Sequence, residues 1–253
     1  MEYVPMSTQK KTLLVLGGTS DIARAAALAF ARGGWDVILA GRDPAALAAE
    51  ATNLELRAPG ASVSSAMLDI LDTAAFAPFL DALPALPDAV LSAVGLLGDQ
   101  REAEHDPAAA ERILRSNFEG PSLFLGLVAE RFEARGSGTI IGISSVAGDR
   151  GRASNYVYGA AKAGFTAFLS GLRNRLAKKG VHVLTVKPGF VRTRMTEGMP
   201  LPGALTAQPE ELGAAIFKAA GKGRDVIYVR PVWRLVMAII RAIPEPVFKK
   251  TKL

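Results

Sequence analysis

The sequence predicts one α/β domain, a doubly wound, seven-stranded parallel sheet with helices on both faces. Three observations carry this. The chain has 253 residues, 49% hydrophobic and 21% charged, a size and composition suited to a single large core. Short apolar runs alternate with alanine-rich amphipathic stretches throughout, the pattern of right-handed βαβ units. No proline-rich or polar linker breaks the series, so residues 1–253 read as one domain with a basic amphipathic extension over 229–253.

Thr12–Leu16 reads as a buried strand, followed by a glycine turn and a helix over Ile22–Arg32. Trp35–Ala40 is the second strand, after which Asp43 and Pro44 open a helix as N-cap and first-turn proline. Further strands are expected at Ser62–Leu68, Ala89–Val94, Thr139–Ile143, Val181–Val186 and Val226–Val229. Helices are expected near Ala74–Leu83, Pro107–Asn117, Pro121–Arg135, Asn155–Lys179 and Pro209–Ala220. Beyond Val229, helical spacing puts Trp233, Val236, Met237 and Ile240 on one stripe, and Pro244 and Pro246 should end that helix.

Composition narrows the function. Cysteine is absent, which excludes a disulfide scaffold, a cysteine nucleophile and thiolate metal sites. His105 and His182 fall near no carboxylate cluster, so no metal site is expected. The net charge of +6 resides wholly in residues 222–253, where eight bases face Asp225 and Glu245. No groove-reading element accompanies that charge, so no nucleic-acid partner is expected; a basic tail suits an acidic surface or ligand. The N-terminal MEYVPMSTQKK lacks an apolar leader core. No apolar run reaches roughly 18 residues, and Val232–Ile243 is broken by Arg234 and Arg241. The expected location is the cytoplasm, with peripheral contact at a membrane open to the tail.

In open parallel sheets ligands sit beyond the carboxyl ends of the strands. After the first strand comes Gly17-Gly18-Thr19-Ser20-Asp21-Ile22, a glycine turn into a helix N-terminus where backbone amides can meet a pyrophosphate. Gly17 holds the first position of a dinucleotide-binding fingerprint, but Asp21 and Ala23 stand where the second and third glycines would be; an ordinary tight βα turn is the alternative. Arg42 ends the second strand, about 20 residues past the turn, where an arginine accommodates the 2′-phosphate of NADP. NADP(H) is therefore favoured, with NAD(H) as the alternative. Asp69 and Ile70 fall at the expected adenine edge, and Ala93-Val94-Gly95 offers small residues where backbone passes close to a cofactor.

The most informative segment runs from Ser144-Ser145 to Tyr156-Val157-Tyr158-Gly159-Ala160-Ala161-Lys162. Tyr158 and Lys162 share one helix face. A phenol titrates near pH 10, and a neighbouring ammonium should lower that value and make the pair a general acid/base. Tyr156 has no lysine at the same spacing.

With these motifs in this order, the chain resembles a Rossmann-type short-chain dehydrogenase/reductase from Thr12 to about Val229. The resemblance implies roles. Tyr158 donates the proton to a carbonyl oxygen, Ser145 rather than Ser144 hydrogen-bonds that oxygen, and Lys162 tunes Tyr158 and holds the nicotinamide ribose. Asn117 anchors a water relay behind the lysine. Pro188-Gly189-Phe190-Val191-Arg192-Thr193 matches the family's PG segment, with Val191 and Thr193 meeting the carboxamide. A homo-oligomer with Asn155–Lys179 at the interface is also implied.

A finer resemblance lies in GLLGD (Gly95–Asp99), VYGAAKAG (Val157–Gly164), RTRM (Arg192–Met195) and the tail from Arg230 to Lys250. These look similar to decaprenylphosphoryl-2-keto-erythro-pentose reductases, which reduce a lipid-linked 2-keto sugar beside a partner flavoenzyme. A small-molecule keto substrate of another lipid, acyl or steroid-like kind is the alternative. A non-catalytic nucleotide-binding regulator is the third reading, disfavoured by the intact Ser145, Tyr158 and Lys162. A basic, apolar tail suits an anionic membrane face.

Overall fold

The computed structural model describes residues 10–251. The leader expectation for the N-terminal residues and the terminal base Lys252 lie outside the described residues.

Nine strands and ten α-helices are present among the described residues. The strands are β1 (Thr12–Leu16), β2 (Asp36–Gly41), β3 (Val63–Met67), β4 (Ala89–Ser92), β5 (Gly138–Ile143), β6 (Val181–Pro188), β7 (Phe190–Val191), β8 (Thr206–Ala207) and β9 (Val226–Val229). The helices are α1 (Asp21–Arg32), α2 (Pro44–Arg57), α3 (Phe76–Ala82), α4 (Gln100–His105), α5 (Pro107–Leu114), α6 (Gly120–Arg135), α7 (Tyr156–Leu176), α8 (Pro209–Gly221), α9 (Val232–Ala242) and α10 (Glu245–Phe248). Seven strands form one parallel sheet in the order β3-β2-β1-β4-β5-β6-β9, the Rossmann arrangement, as one domain. The order reverses beside β1, which is where such sheets hold ligands.

The sheet is buried from both sides. Leu13, Val15, Leu39 and Leu184 face a layer that includes Ala26, Leu47, Leu212 and Ile216 of α1, α2 and α8. Leu14, Ile38, Val90 and Val183 face Phe76, Phe124, Phe165 and Leu169 of α3, α6 and α7. A smaller third cluster joins Val146 to Trp233, Met237 and Ile240 of α9, with Phe190 and Leu205 packed against it.

Local chemistry explains the helix starts. Ser20 caps α1 by accepting from the Ala23 amide at 3.2 Å, and Asp43 caps α2 through Ala46 at 3.0 Å. Pro44 then occupies the first turn, where no intrahelical donor is lost.

Three expectations need correction. The helix expected over Pro107–Asn117 does not stop at Asn117. It passes through a π-helical turn at Arg115–Glu119 straight into α6, because the Asn117 amide enters the ladder and donates to Ile113 O at 2.8 Å. The stretch Ala74–Leu83 is a 3-10 turn at Thr73–Ala75 followed by α3. Finally, α4 and the two-stranded β7–β8 ribbon were not expected; both are too short to leave a periodicity.

Candidate active site

The turn after β1 shows why glycine is needed there. Gly17 lies at φ +75°, a left-handed conformation, and a Cβ would approach Ala93 O and Val94 N at 3.1 Å. This brings the β1 and β4 loops into contact. Ser20 takes the Ala23 amide, and the Arg24 amide donates to Ser20 O at 2.9 Å. The amides of Asp21 and Ile22, first in α1, have no intrahelical acceptor and form the positive end of the helix.

From this turn a groove of about 580 Å³ runs along the strand ends. Gly17, Thr19, Ser20, Asp21, Ile22, Arg42, Asp69, Ile70, Ala93, Val94, Gly95 and Thr193 all line it. Gly18 does not. Its amide donates to Ala40 O at 2.9 Å, and a Cβ there would sit 3.0 Å from the Leu39 Cβ, so it packs behind the loop against β2. Arg42 is exposed at one end of the groove and makes no hydrogen bond or ion pair among the described residues. Asp69 folds back to accept from the Leu71 amide at 2.9 Å while still lining the groove.

Asp21, the departure from the glycine pattern, accepts from the Arg194 amide at 2.8 Å and pairs with the Arg194 guanidinium at 3.3 Å. That guanidinium also donates to Thr19 O. The carboxylate is thus neutralised where a pyrophosphate would come close. Arg194 belongs to the RTRM segment noted in the sequence, but nothing there signals its pairing with Asp21.

The groove continues into a cavity of about 140 Å³ lined by Ser145, Tyr158, Lys162, Pro188, Val191 and Thr193. Tyr158 and Lys162 lie one turn apart on α7, and the Lys162 Nζ sits 5.7 Å from the Tyr158 ring centre. Lys162 is buried and donates to Ile143 O at 3.0 Å. Ser144 is occupied structurally: its hydroxyl bonds Lys162 O at 3.0 Å and meets Thr166 Oγ1 at 2.6 Å. Ser145 Oγ instead accepts from the Ala147 amide at 3.1 Å and lines the cavity together with the Tyr158 phenol. Tyr156 is exposed and lines neither the groove nor the cavity.

Asn117 reaches the same place from behind. A Cβ on Gly95 would sit 3.4 Å from Asn117 Oδ1 and 3.8 Å from Lys162 Nζ. Its amide donates to Leu96 O at 2.7 Å and accepts from Leu96 N at 3.3 Å. Asn117 therefore clamps the β4 loop onto the π turn.

The pair's electrostatics differ from expectation. Burial pushes the Tyr158 phenol up to about 12, only partly offset by the Ser145 side chain. Burial also pushes Lys162 down to about 7. Lys162 therefore does not lower Tyr158 as expected: desolvation penalises both charged forms at once. The phenol stays protonated at neutral pH, the state a proton donor needs.

Sequence reasoning missed Arg152, Asn155 and Met199, which complete the cavity with Phe190 and Met195 of the PG and RTRM segments and Trp233 of the tail stripe. No spacing signals the three missed residues. The Trp233 indole donates to Leu205 O at 3.0 Å, and any Cβ on Gly189 would collide with its ring.

A doubly wound sheet with a glycine-turn groove leading to half-buried Ser145 and Tyr158 beside a buried Lys162 defines a dinucleotide-dependent oxidoreductase. The comparisons agree. A family model described as short chain dehydrogenase matches residues 11–201. The chain is 37% identical over 242 residues to an uncharacterized oxidoreductase of Mycobacterium tuberculosis, covering 94% of this chain and 96% of that protein. It is 37% identical over 244 residues to an uncharacterized oxidoreductase of Streptomyces coelicolor, covering 95% of each. Among solved structures it is similar to a short-chain dehydrogenase from Sphingobium yanoikuyae in complex with NADPH. The TM-score is 0.78 at 24% identity, over 93% of this chain and 97% of that one. The protein belongs to the short-chain dehydrogenase/reductase family and is an NAD(P)-dependent oxidoreductase acting on a CH–OH or C=O group.

Proposed function

We propose that the protein is an NADPH-dependent ketone reductase. What supports it is the Tyr158 phenol in one cavity with Ser145 and Lys162, placed to donate to a carbonyl oxygen as it gains negative charge. When bound, the nicotinamide supplies the hydride. Tyr158 gives the proton, Ser145 orients the carbonyl, and Lys162 holds the ribose hydroxyls. Val191 and Thr193 border the same cavity and receive the carboxamide. Arg42, free of partners among the described residues, takes the 2′-phosphate by charge-assisted hydrogen bonds. The NADPH complex of the Sphingobium yanoikuyae relative supports that preference. The test is NADPH and NADH oxidation against a panel of prenyl-phosphate keto-pentoses, fatty-acyl ketones and steroid ketones. Turnover with none of them, or with NADH alone, would count against the reading.

For the substrate, we favour a lipid-linked 2-keto sugar, with a flavoenzyme supplying the ketone. What supports it is α9. Trp233, Met237 and Ile240 face inward, while Val232, Leu235 and Ile239 form a second, exposed apolar stripe. A helix apolar on both sides can pack on the cavity and touch an anionic membrane at once. No described helix is long and apolar enough to cross one. A homo-oligomer is supported by Leu114, Phe118, Leu123 and Leu127, exposed along α5, the π turn and α6, with Phe118 resting over Gly164 of α7. Light scattering showing only a 26.6 kDa species would sink that part.

A further inference from the structure

The turn after β5 carries three charged side chains, Asp149, Arg150 and Arg152, and the fold uses only two of them. The Asp149 carboxylate accepts from Lys187 Nζ at 2.5 Å and from the Tyr228 hydroxyl at 2.8 Å, tying the turn to β6 and β9. Its side chain is 2% exposed. Arg150 donates to Ile240 O and Ile243 O, each at 2.6 Å, pairs with Glu245 at 2.9 Å, and stacks 3.6 Å over the Phe248 ring. Those contacts fasten the end of α9.

Arg152 has none of this. Among the described residues it makes no ion pair and no side-chain hydrogen bond, and its Nε is buried without a partner. Asn155 Oδ1, three residues on, is buried and unpartnered too. Both residues line the catalytic cavity beside Ser145 and Tyr158. The walls around them are apolar, from Val146, Phe190, Met195, Met199 and Trp233, and among the described residues no carboxylate lines the cavity. A guanidinium half-sunk in such a place is costly unless something pairs with it. The burial that lowers the Arg152 pKa reflects the same cost. The turn holding it is pinned just before it, at Asp149 and Arg150. The planar fork of a guanidinium matches carboxylate, sulfonate and phosphate oxygens.

We propose that Arg152 determines substrate specificity by binding an anionic group carried by the ketone. This rests on the ketone-reductase reading and narrows it: neutral ketones are poor substrates, and the reacting carbonyl lies between Tyr158 and an anion held at Arg152. The same chemistry fits the phosphate of a lipid or the carboxylate of a small keto acid.

The test reads binding without turnover. Trp233 lines the cavity, whereas Trp35 packs against Phe30 in the layer of α1, so Trp35→Phe leaves a single local reporter. In that background, with NADP⁺ bound, emission is titrated with hexanoate, hexyl phosphate and hexanamide. At least one anion should bind about 10-fold or more tightly than the amide, the weight of one charge-assisted contact. Arg152→Met should bring the anion to the level of the amide, and Arg152→Lys should keep part of the preference. Thermal melts confirm that both variants fold. The tighter anion, phosphate or carboxylate, names the source. No saturable anion binding, equal binding of all three probes, or an undiminished preference in Arg152→Met overturns the proposal. None of these outcomes depends on catalysis, so a failure here is distinct from the absence of NADPH-driven ketone reduction.

Discussion

The cofactor groove and the substrate cavity share Ile22, Ala93, Val94, Gly95, Thr193 and Met195, yet they are assembled in different ways. Besides Arg194, which reaches Asp21 across 173 positions, the groove is lined by residues at strand ends: Gly17 after β1, Arg42 after β2, Asp69 near the end of β3, and Ala93 after β4. Each is placed by its own strand and turn. The cavity is held by contacts between distant segments, such as Arg150 to Ile243, separated by 93 positions, and Trp233 to Leu205, separated by 28. A nucleotide site of this kind comes with the sheet. A substrate site has to be built onto it by loops and the tail, and that is where specificity can change without disturbing the fold.

The largest effect is expected where the two regions meet. Tyr158→Phe should lose at least about two orders of magnitude in kcat, the usual weight of general acid catalysis, with NADPH affinity by fluorescence nearly unchanged. An active variant would sink the assigned chemistry. Arg42→Ala should raise KM for NADPH about 10-fold or more, from loss of a charged hydrogen bond of roughly 1.5–3 kcal/mol, and leave NADH kinetics alone. Equal effects on both cofactors would show that Arg42 does not read the 2′-phosphate. In the other region, Gly189→Ala forces a methyl group into the Trp233 ring and should cost about 1–3 kcal/mol by overpacking. Urea melts measure the cost, and NADPH affinity should hold. If affinity falls in step, the two regions are not separable.

A membrane contact is tested on the outer stripe alone, because deleting the tail would also remove Trp233 from the cavity. Leu235→Glu with Ile239→Glu should abolish flotation with anionic vesicles at low salt while leaving ketone reduction intact. Flotation unaffected by the pair would remove the stripe from the account.

The last effect is on stability against pH. Lys162 is pushed from 10.5 down to about 7 on folding, so between those values the unfolded chain binds more protons. Its contribution therefore makes stability rise with pH across that window. Tyr158, pushed from 10.0 up to about 12, works the other way above pH 10, where stability falls. Denaturant midpoints of wild type should climb between pH about 7 and about 10 more steeply than those of Lys162→Met. Parallel curves would mean that Lys162 is not desolvated.

The sheet, the strand-end groove and the pairing of Tyr158 with Lys162 were legible in the order of the amino acids. Each depends on a local rule: apolar runs of strand length, a glycine at positive φ, or two residues one helical turn apart. The sequence also marked Ser145, though only the tertiary structure showed Ser144 consumed by Lys162 O and Thr166. Tertiary structure alone decided that Asp21 is neutralised by Arg194, a partner 173 positions away, and that α5 runs on through Asn117 into α6. It reversed the expected shift of Tyr158, since spacing reports the neighbour but not the loss of water around both groups. Nothing in the spacing of Arg150 and Arg152 tells them apart. One lies under the end of α9 and is fully used; the other faces the cavity and is not. Their difference is set by where a tail some ninety residues further on comes to rest, and long-range packing of that kind leaves no period in a sequence.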